Sequence, residues 1–83
     1  MKLSIRYFAS IREALGQSLE SLDTSATTLG GLRDELIARG GAYAQALARG
    51  KAVRMALNQV MVDESADLSE GAEVAFFPPV TGG

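Results

Sequence analysis

The residues best placed to do chemistry are the last ones, Phe77-Pro78-Pro79-Val80-Thr81-Gly82-Gly83, where an apolar run passes through two prolines and stops on two glycines. The reacting group there is the α-carboxyl of Gly83. A reference pKa of about 3.3–3.7 makes it a carboxylate at neutral pH, a poor electrophile until an outside reagent activates it. Each proline holds φ at about −65° and pushes the residue before it into extended backbone, so residues 77–79 leave the last strand as a stiff strut. From Pro78 outward six residues reach at most about 20 Å, at roughly 3.3–3.6 Å each, and the glycines carry no Cβ to block a narrow channel. Such a tail can enter a partner's active site. The plain alternative is a frayed end that finishes on glycine by composition. With glycine at about 7% of residues, a Gly-Gly end arises in roughly 0.5% of chains, so the dipeptide is a weak signal until it is joined to the strand and Pro-Pro pair that feed it.

The remaining composition removes most other chemistry. Cysteine and histidine are both absent, which takes away thiolate nucleophiles, disulfides, most zinc and haem ligation and the usual general base near neutral pH. At 83 residues the chain forms one domain, with no room for a deep catalytic cleft. Net charge is −2 and the arginines are scattered rather than striped, so the footprint of a nucleic-acid binder is missing. No run approaches the roughly 20 apolar residues of a membrane span, and the alternation of Lys2, Ser4 and Arg6 with apolar residues is unlike a signal peptide. These features predict a cytoplasmic protein that uses neither membrane nor nucleic acid. Asp63, Glu64 and Asp67 read as a solvated acidic turn rather than a calcium loop, which needs more ligands in a set order. Asp34-Glu35 reads as an exposed helix face, and Arg12, Arg33 and Arg54 either meet carboxylates on a partner or keep the surface soluble.

Elements that position the tail follow from periodicity. Leu3, Ile5 and Tyr7 share one parity, the mark of a strand with one buried face. Ser10-Ile11-Arg12-Glu13 has capping-box spacing and predicts a short helix starting at Ser10 and stopped by Gly16. Residues 17–23 read as a second strand in which Leu19 and Leu22, of opposite parity, cannot both face one core without a bulge. Hydroxyls in Thr24-Ser25-Ala26-Thr27-Thr28 can cap a principal helix whose stripe is Leu29, Leu32, Leu36 and Ile37, with Gly30-Gly31 weakening its start and Gly40-Gly41 ending it. Residues 42–48 predict a second short helix against the sheet edge. Residues 52–57 form a third strand, Asn58-Gln59 a turn, residues 60–62 a fourth strand, Ser69-Glu70-Gly71 a turn and residues 73–77 the fifth.

One mixed five-stranded sheet curled around one main helix, with short inserted helices, buries every apolar face economically. This is the α+β plan called β-grasp, or ubiquitin-like. It divides the chain into a domain, residues 1–77, and an extended tail, residues 78–83. Phe8, Met61 and Phe77 each fall on the parity opposite the core set of their strand, which predicts an exposed apolar patch beside the tail exit. The competing arrangement has the short helices covering them as a minor second core.

Over nearly its whole length the chain resembles the small, sulfur-carrying subunits of molybdopterin synthase, the MoaD-type carriers. The resemblance rests on Phe76-Phe77-Pro78-Pro79-Val80-Thr81-Gly82-Gly83, with support from Phe8-Ala9, Arg12-Glu13, Gly16, Leu32-Arg33, Asn58-Gln59 and Gly71-Ala72-Glu73-Val74-Ala75. It departs at Gly30-Gly31 and in the alanine-rich residues 42–49. It implies that a ubiquitin-activating (E1-like) adenylyltransferase joins Gly83 to AMP from ATP, and that a sulfur donor converts the acyl-adenylate to a thiocarboxylate. The large synthase subunit would then accept the tail, in a heterotetramer of two small and two large subunits, and two deliveries to cyclic pyranopterin monophosphate would build the dithiolene. On this reading Gly83 is the reacting residue and Gly82 gives clearance. Phe8, Met61, Phe77, Pro78, Pro79, Val80 and Thr81 bind partners. The chain holds no cofactor or metal beyond covalent sulfur, and the catalytic side chains lie on the large subunit. A ubiquitin-like modifier joined through Gly83 to lysines, a thiamine-pathway sulfur carrier and a passive interaction domain are the other readings compatible with these residues.

Overall fold

Alternation in β1 (Lys2–Tyr7) buries Leu3, Ile5 and Tyr7 and turns Lys2, Ser4 and Arg6 outward. The computed structural model describes residues 1–79 and continues with α1 (Ala9–Leu15), β2 (Leu19–Asp23), α2 (Leu29–Ile37), α3 (Gly41–Ala46), β3 (Arg54–Leu57), β4 (Val60–Val62) and β5 (Glu73–Phe77). The strands form one five-stranded sheet in the order β2-β1-β5-β3-β4. Only the central β1–β5 pair is parallel; the other neighbours are antiparallel. Leu29, Leu32 and Leu36 of α2 join Ile5, Tyr7, Val74 and Phe76 in one buried cluster, so the sheet wraps the main helix as a β-grasp fold does. Each fully buried side chain of that size contributes roughly 1.5–3 kcal/mol.

Leu19 and Leu22 need no bulge. The β1–β2 register runs unbroken from Lys2↔Asp23 to Arg6↔Leu19, leaving Leu22 against the core and Leu19 exposed. The capping box at Ser10 does not form. Helix α1 starts at Ala9, because the Phe8 amide is held by the Phe76 carbonyl (3.1 Å) while the Phe8 carbonyl accepts the amides of Ile11 (3.1 Å) and Arg12 (3.2 Å). Pairing with β5 thus sets the helix start, and Ala9 takes a φ of +51° to make the bend. Gly16 stops α1 in the left-handed region, as expected.

The glycines at the start of α2 have different jobs. Thr28 caps the helix by accepting the Gly31 amide at 3.2 Å. Two further amides are met by the polar 63–68 segment: Leu29 donates to the Ala66 carbonyl (3.0 Å) and Gly30 to that of Glu64 (2.9 Å). A Cβ on Gly30 would lie 3.3 Å from the Glu64 carbonyl oxygen, whereas one on Gly31 would meet nothing closer than 3.4 Å. The segment read from the sequence as a solvated acidic turn is therefore also part of a helix cap. Asp63 accepts from the Ser65 amide at 2.8 Å, and Glu64 pairs with Arg33 and Arg49.

Arg33 corrects the expectation of a surface arginine. It is 3% exposed, and its guanidinium donates to the carbonyls of Leu47 (2.8 Å), Ala48 (2.7 Å) and Lys51 (3.1 Å). A second polar knot ties α2 and α3 to the edge strand β2. Glu20 accepts from Tyr7 (2.9 Å), Tyr43 (3.2 Å) and Arg39 (2.6 Å), and Arg39 lies 4.8 Å over the Tyr43 ring. Burial alone would raise the Glu20 pKa, but hydrogen bonds from Arg39 and Tyr7 outweigh it and hold the carboxyl below its ordinary value. Burial, and then the bond to Glu20, push the Tyr7 hydroxyl well above its own.

A folded-state pKa below the unfolded one gives stability that is present above the unfolded value, about 4.3 for Glu, and lost as pH falls through the folded value. Glu20→Gln should therefore cost about 1–2 kcal/mol at pH 7 and flatten the acid limb of the stability curve below about pH 4, read by urea unfolding across pH. Parallel curves for the variant and the parent would remove Glu20 from the network. Gly31→Ala should gain about 0.5 kcal/mol, or roughly 2–4 °C in Tm, from helix propensity, while Gly30→Ala forfeits that gain against Glu64. Equal shifts for the two in thermal melts would contradict the close approach of the 63–68 segment.

Candidate functional site

The site is built around the last residues of β5. That strand is flanked on both edges, with Tyr7↔Phe76 on the β1 side and Arg54↔Phe77 on the β3 side. Val74 and Phe76 point into the core with no exposure, so Glu73, Ala75 and Phe77 face the other way. Pro78 follows half-buried and Pro79 exposed. Val80, Thr81, Gly82 and Gly83 lie outside the described residues.

Phe8, Met61 and Phe77 do meet on the outer face of the sheet. Their convergence follows from register. Residue 8 continues β1 beside residue 77 of β5, and the two rings stand 5.5 Å apart at a tilt of 56°. Met61 reaches the same face from β4, opposite Ala56 of β3, which in turn is opposite Ala75 of β5. Phe8 is 39% and Met61 53% exposed, and the helices, packed on the inner face, leave both uncovered. The exposed patch expected from parity is therefore present, and the competing arrangement, a second core beneath the short helices, is not seen among the described residues.

Sequence parity did not reveal the floor of this patch. Ala56 and Ala75 have side chains small enough to leave a shallow concavity of about 420 Å³, rimmed by Phe8, Met61 and Phe77. Alanine at the centre of two neighbouring strands, both on the off-core parity, was the available signal. Arg6 and Glu73 close another side of the rim with an ion pair at 2.5 Å. Half-exposed pairs of this kind contribute about 0–1 kcal/mol, so little stability is lost if either partner turns away from it.

The turn joining β3 to β4 helps to fix the patch. Asn58 and Gln59 take φ values of +49° and +69°, the backbone of a type I′ hairpin turn. Asn58 accepts the Glu73 amide on its side-chain oxygen (3.0 Å) and donates its own amide to the Glu73 carbonyl (2.8 Å). The hairpin carrying Met61 is thereby tied to the first residue of β5. A wider depression of about 800 Å³ along residues 61–65 holds Asp63 and Glu64, whose carboxylates are already engaged by Ser65, Arg33 and Arg49. Among the described residues no group of acidic side chains is arranged to hold a metal ion.

The site thus consists of an apolar, alanine-floored concavity next to Pro78 and Pro79, where β5 ends. The sequence matches the family model described as the ThiS family over residues 5–83. It is 38% identical to the molybdopterin synthase sulfur carrier subunit of Escherichia coli, over 98% of this chain and 99% of that one. Among solved structures it is similar to SAMP1 from Haloferax volcanii, with a TM-score of 0.77 and 25% identity over 100% of both chains. It is also similar to a chain in the complex of subunits 1 and 2 of the molybdopterin-converting factor from Helicobacter pylori 26695, with a TM-score of 0.70 and 25% identity over 100% of both chains. The chain therefore belongs to the ThiS family, among the molybdopterin synthase sulfur carrier subunits.

Proposed function

We propose that this protein carries sulfur as a thiocarboxylate on Gly83 and delivers it within a molybdopterin synthase. The observation that carries this reading is the placement of the tail root. β5 releases the chain at Pro78 beside an exposed apolar concavity, in a protein whose relative of nearly equal length is a sulfur carrier subunit.

The chemistry proceeds by acyl activation. A Gly83 carboxylate oxygen attacks the α-phosphorus of ATP on an E1-like adenylyltransferase, and pyrophosphate leaves. A hydrosulfide-equivalent donor then adds to the carbonyl carbon and AMP departs, which leaves the C-terminal thiocarboxylate. This chain contributes the acyl group, clearance at Gly82 and the handle by which each partner holds it. No cysteine is needed, because the sulfur sits on the carbonyl carbon. In the large subunit the thiocarboxylate sulfur forms a C–S bond to cyclic pyranopterin monophosphate in place of a C–O bond, water then cleaves the acyl–sulfur bond to return the Gly83 carboxylate, and two such deliveries complete the dithiolene. Catalytic side chains for that step belong to the large subunit, in an assembly of two small and two large chains.

Docking uses Phe8, Met61 and Phe77 as the apolar anchor, with Pro78, Pro79, Val80 and Thr81 guiding the tail inward. The chemistry of ATP-dependent activation points to the cytoplasm. Among the described residues no helix is long and apolar enough to cross a membrane.

A second reading, conjugation of Gly83 to lysines of other proteins, is favoured by the likeness to SAMP1, since H. volcanii SAMP1 is a small archaeal modifier protein. Both readings pass through the same acyl-adenylate. Mass spectrometry after incubation with ATP, the activating partner and a sulfur source separates them. Exchange of one oxygen for one sulfur on the intact chain is expected, and a ladder of conjugates without that exchange would overturn the carrier reading.

Deleting Gly82 and Gly83 should abolish sulfur transfer while leaving Tm within about 2 °C, because neither residue is expected to join the core. A larger fall would show the tail to be part of the fold. Phe77→Ala should weaken large-subunit binding about tenfold or more by calorimetry, with a Tm loss of no more than about 5 °C, because its side chain rims the outer patch instead of filling the inner core. Equal losses in binding and folding energy would assign Phe77 to the core.

A further inference from the structure

The β3–β5 ladder stops where the tail begins. Carrying the Arg54↔Phe77 register onward sets Val53 across from Pro78 and Ala52 across from Pro79. Neither proline has an N–H to offer, and the Val53 amide turns back to the Lys51 carbonyl at 3.0 Å. Ladder bonds from the prolines' amides therefore cannot hold the segment flanking the tail root. Arg33 holds it from behind, through the carbonyls of Leu47, Ala48 and Lys51. Among the described residues it is the one side chain hydrogen-bonded to the main chain of 47–53. Held in this way, Lys51, Ala52 and Val53 line a groove of about 350 Å³ together with Pro78 and Pro79, and with Ser10 and Ala14 of α1.

We propose that Arg33 is a positioning residue for sulfur delivery: by fixing the 47–53 wall it fixes the direction in which the chain leaves the domain at Pro79. The inference rests on the reading of Gly83 as the reacting end. Direction matters because of leverage. Four residues beyond Pro79 reach at most about 14 Å, and with the tail drawn out in an acceptor's channel a swing of about 15° at the root would move the far end by roughly 3–4 Å. Displacements of about 1 Å already impair a reaction of aligned atoms. A lysine at position 33 keeps the charge but presents a single nitrogen, which cannot serve three separate carbonyls in the manner of a planar guanidinium.

The test uses full-length Arg33→Lys carrying the thiocarboxylate, mixed with the large subunit and cyclic pyranopterin monophosphate. Binding affinity is expected to stay within about twofold of the parent, while the single-turnover rate at saturating large subunit falls about tenfold or more. A role confined to stability would lower Tm and leave the saturated rate of the folded protein unchanged, and that result overturns the proposal. If Arg33→Lys does not fold, Ala52→Gly loosens the same wall with Arg33 intact. It should slow the saturated rate at least about threefold, and an unchanged rate is again fatal. Residual dipolar couplings at the Cα–H bonds of Pro78 and Pro79 report the direction of the strut without any chemistry. They should shift in either variant; parent-like couplings in Arg33→Lys would refute the role of Arg33, and parent-like couplings in Ala52→Gly would refute control of the strut by the 47–53 wall on which that role depends. Failure of the parent protein itself to yield molybdopterin would instead refute the carrier reading, with the couplings still deciding whether Arg33 aims the strut.

Discussion

Hydrogen bonding along both edges of β5 is the constraint on which the rest of the molecule depends. The strand runs parallel to β1 and antiparallel to β3, at the centre of the sheet, and cannot shift along either neighbour without breaking both ladders. A slip of one residue would also exchange Val74 and Phe76 for Ala75 and Phe77 in the core. Register is therefore specified twice, by main-chain bonds and by side-chain burial. The position at which Pro78 terminates pairing is specified with it. In the proposed function the end of this peptide is presented to other proteins, and the strand that leads into it is paired on both edges up to Phe77.

Because side chains alternate across a strand, the same five residues serve two purposes that do not interfere. Val74 and Phe76 complete the cluster around α2, and Ala75 and Phe77 help to form the outer concavity. The packed core and the open concavity lie on opposite faces of one sheet. The small outward alanines at positions 56 and 75 matter as much as the large rim residues, since a bulky residue at either would fill the hollow that a partner side chain could enter. The polar groups divide similarly. Glu20 and Arg33 lie on the helical side and join helix to strand or loop, whereas Arg6 and Glu73 lie on the open face.

In the proposed function, the protein trades a catalytic centre for a portable acyl group. Without cysteine or histidine it has neither a thiolate nor a base near neutral pH. A terminal carboxyl needs neither, because activation, sulfur donation and acceptance can all be performed by partners. What this chain would supply under that proposal is a slim end, a rigid root and a surface by which it is recognised. A domain near the lower size limit for a stable core can provide all three.

Much of this was legible in the amino-acid order. Period-two alternation identified β1 and β5, the leucine stripe identified α2, the glycine after Leu15 stopped α1, and off-core parity singled out Phe8, Met61 and Phe77 before any of them had neighbours. These are local properties, determined by the repeat of a strand or helix and by the φ restrictions of proline and glycine. Interactions between segments distant in the chain were not legible. Ser10 looked like a helix cap until the pairing of Phe8 with Phe76 moved the start to Ala9, and Gly30 looked like a defect until the 63–68 turn was found to press against it. Arg33 read as a surface charge because burying a guanidinium requires acceptors, and its acceptors are main-chain carbonyls some 14–18 positions away. A carbonyl leaves no mark in the sequence, since every residue has one. Which carbonyls face an arginine is decided only when the chain folds back on itself.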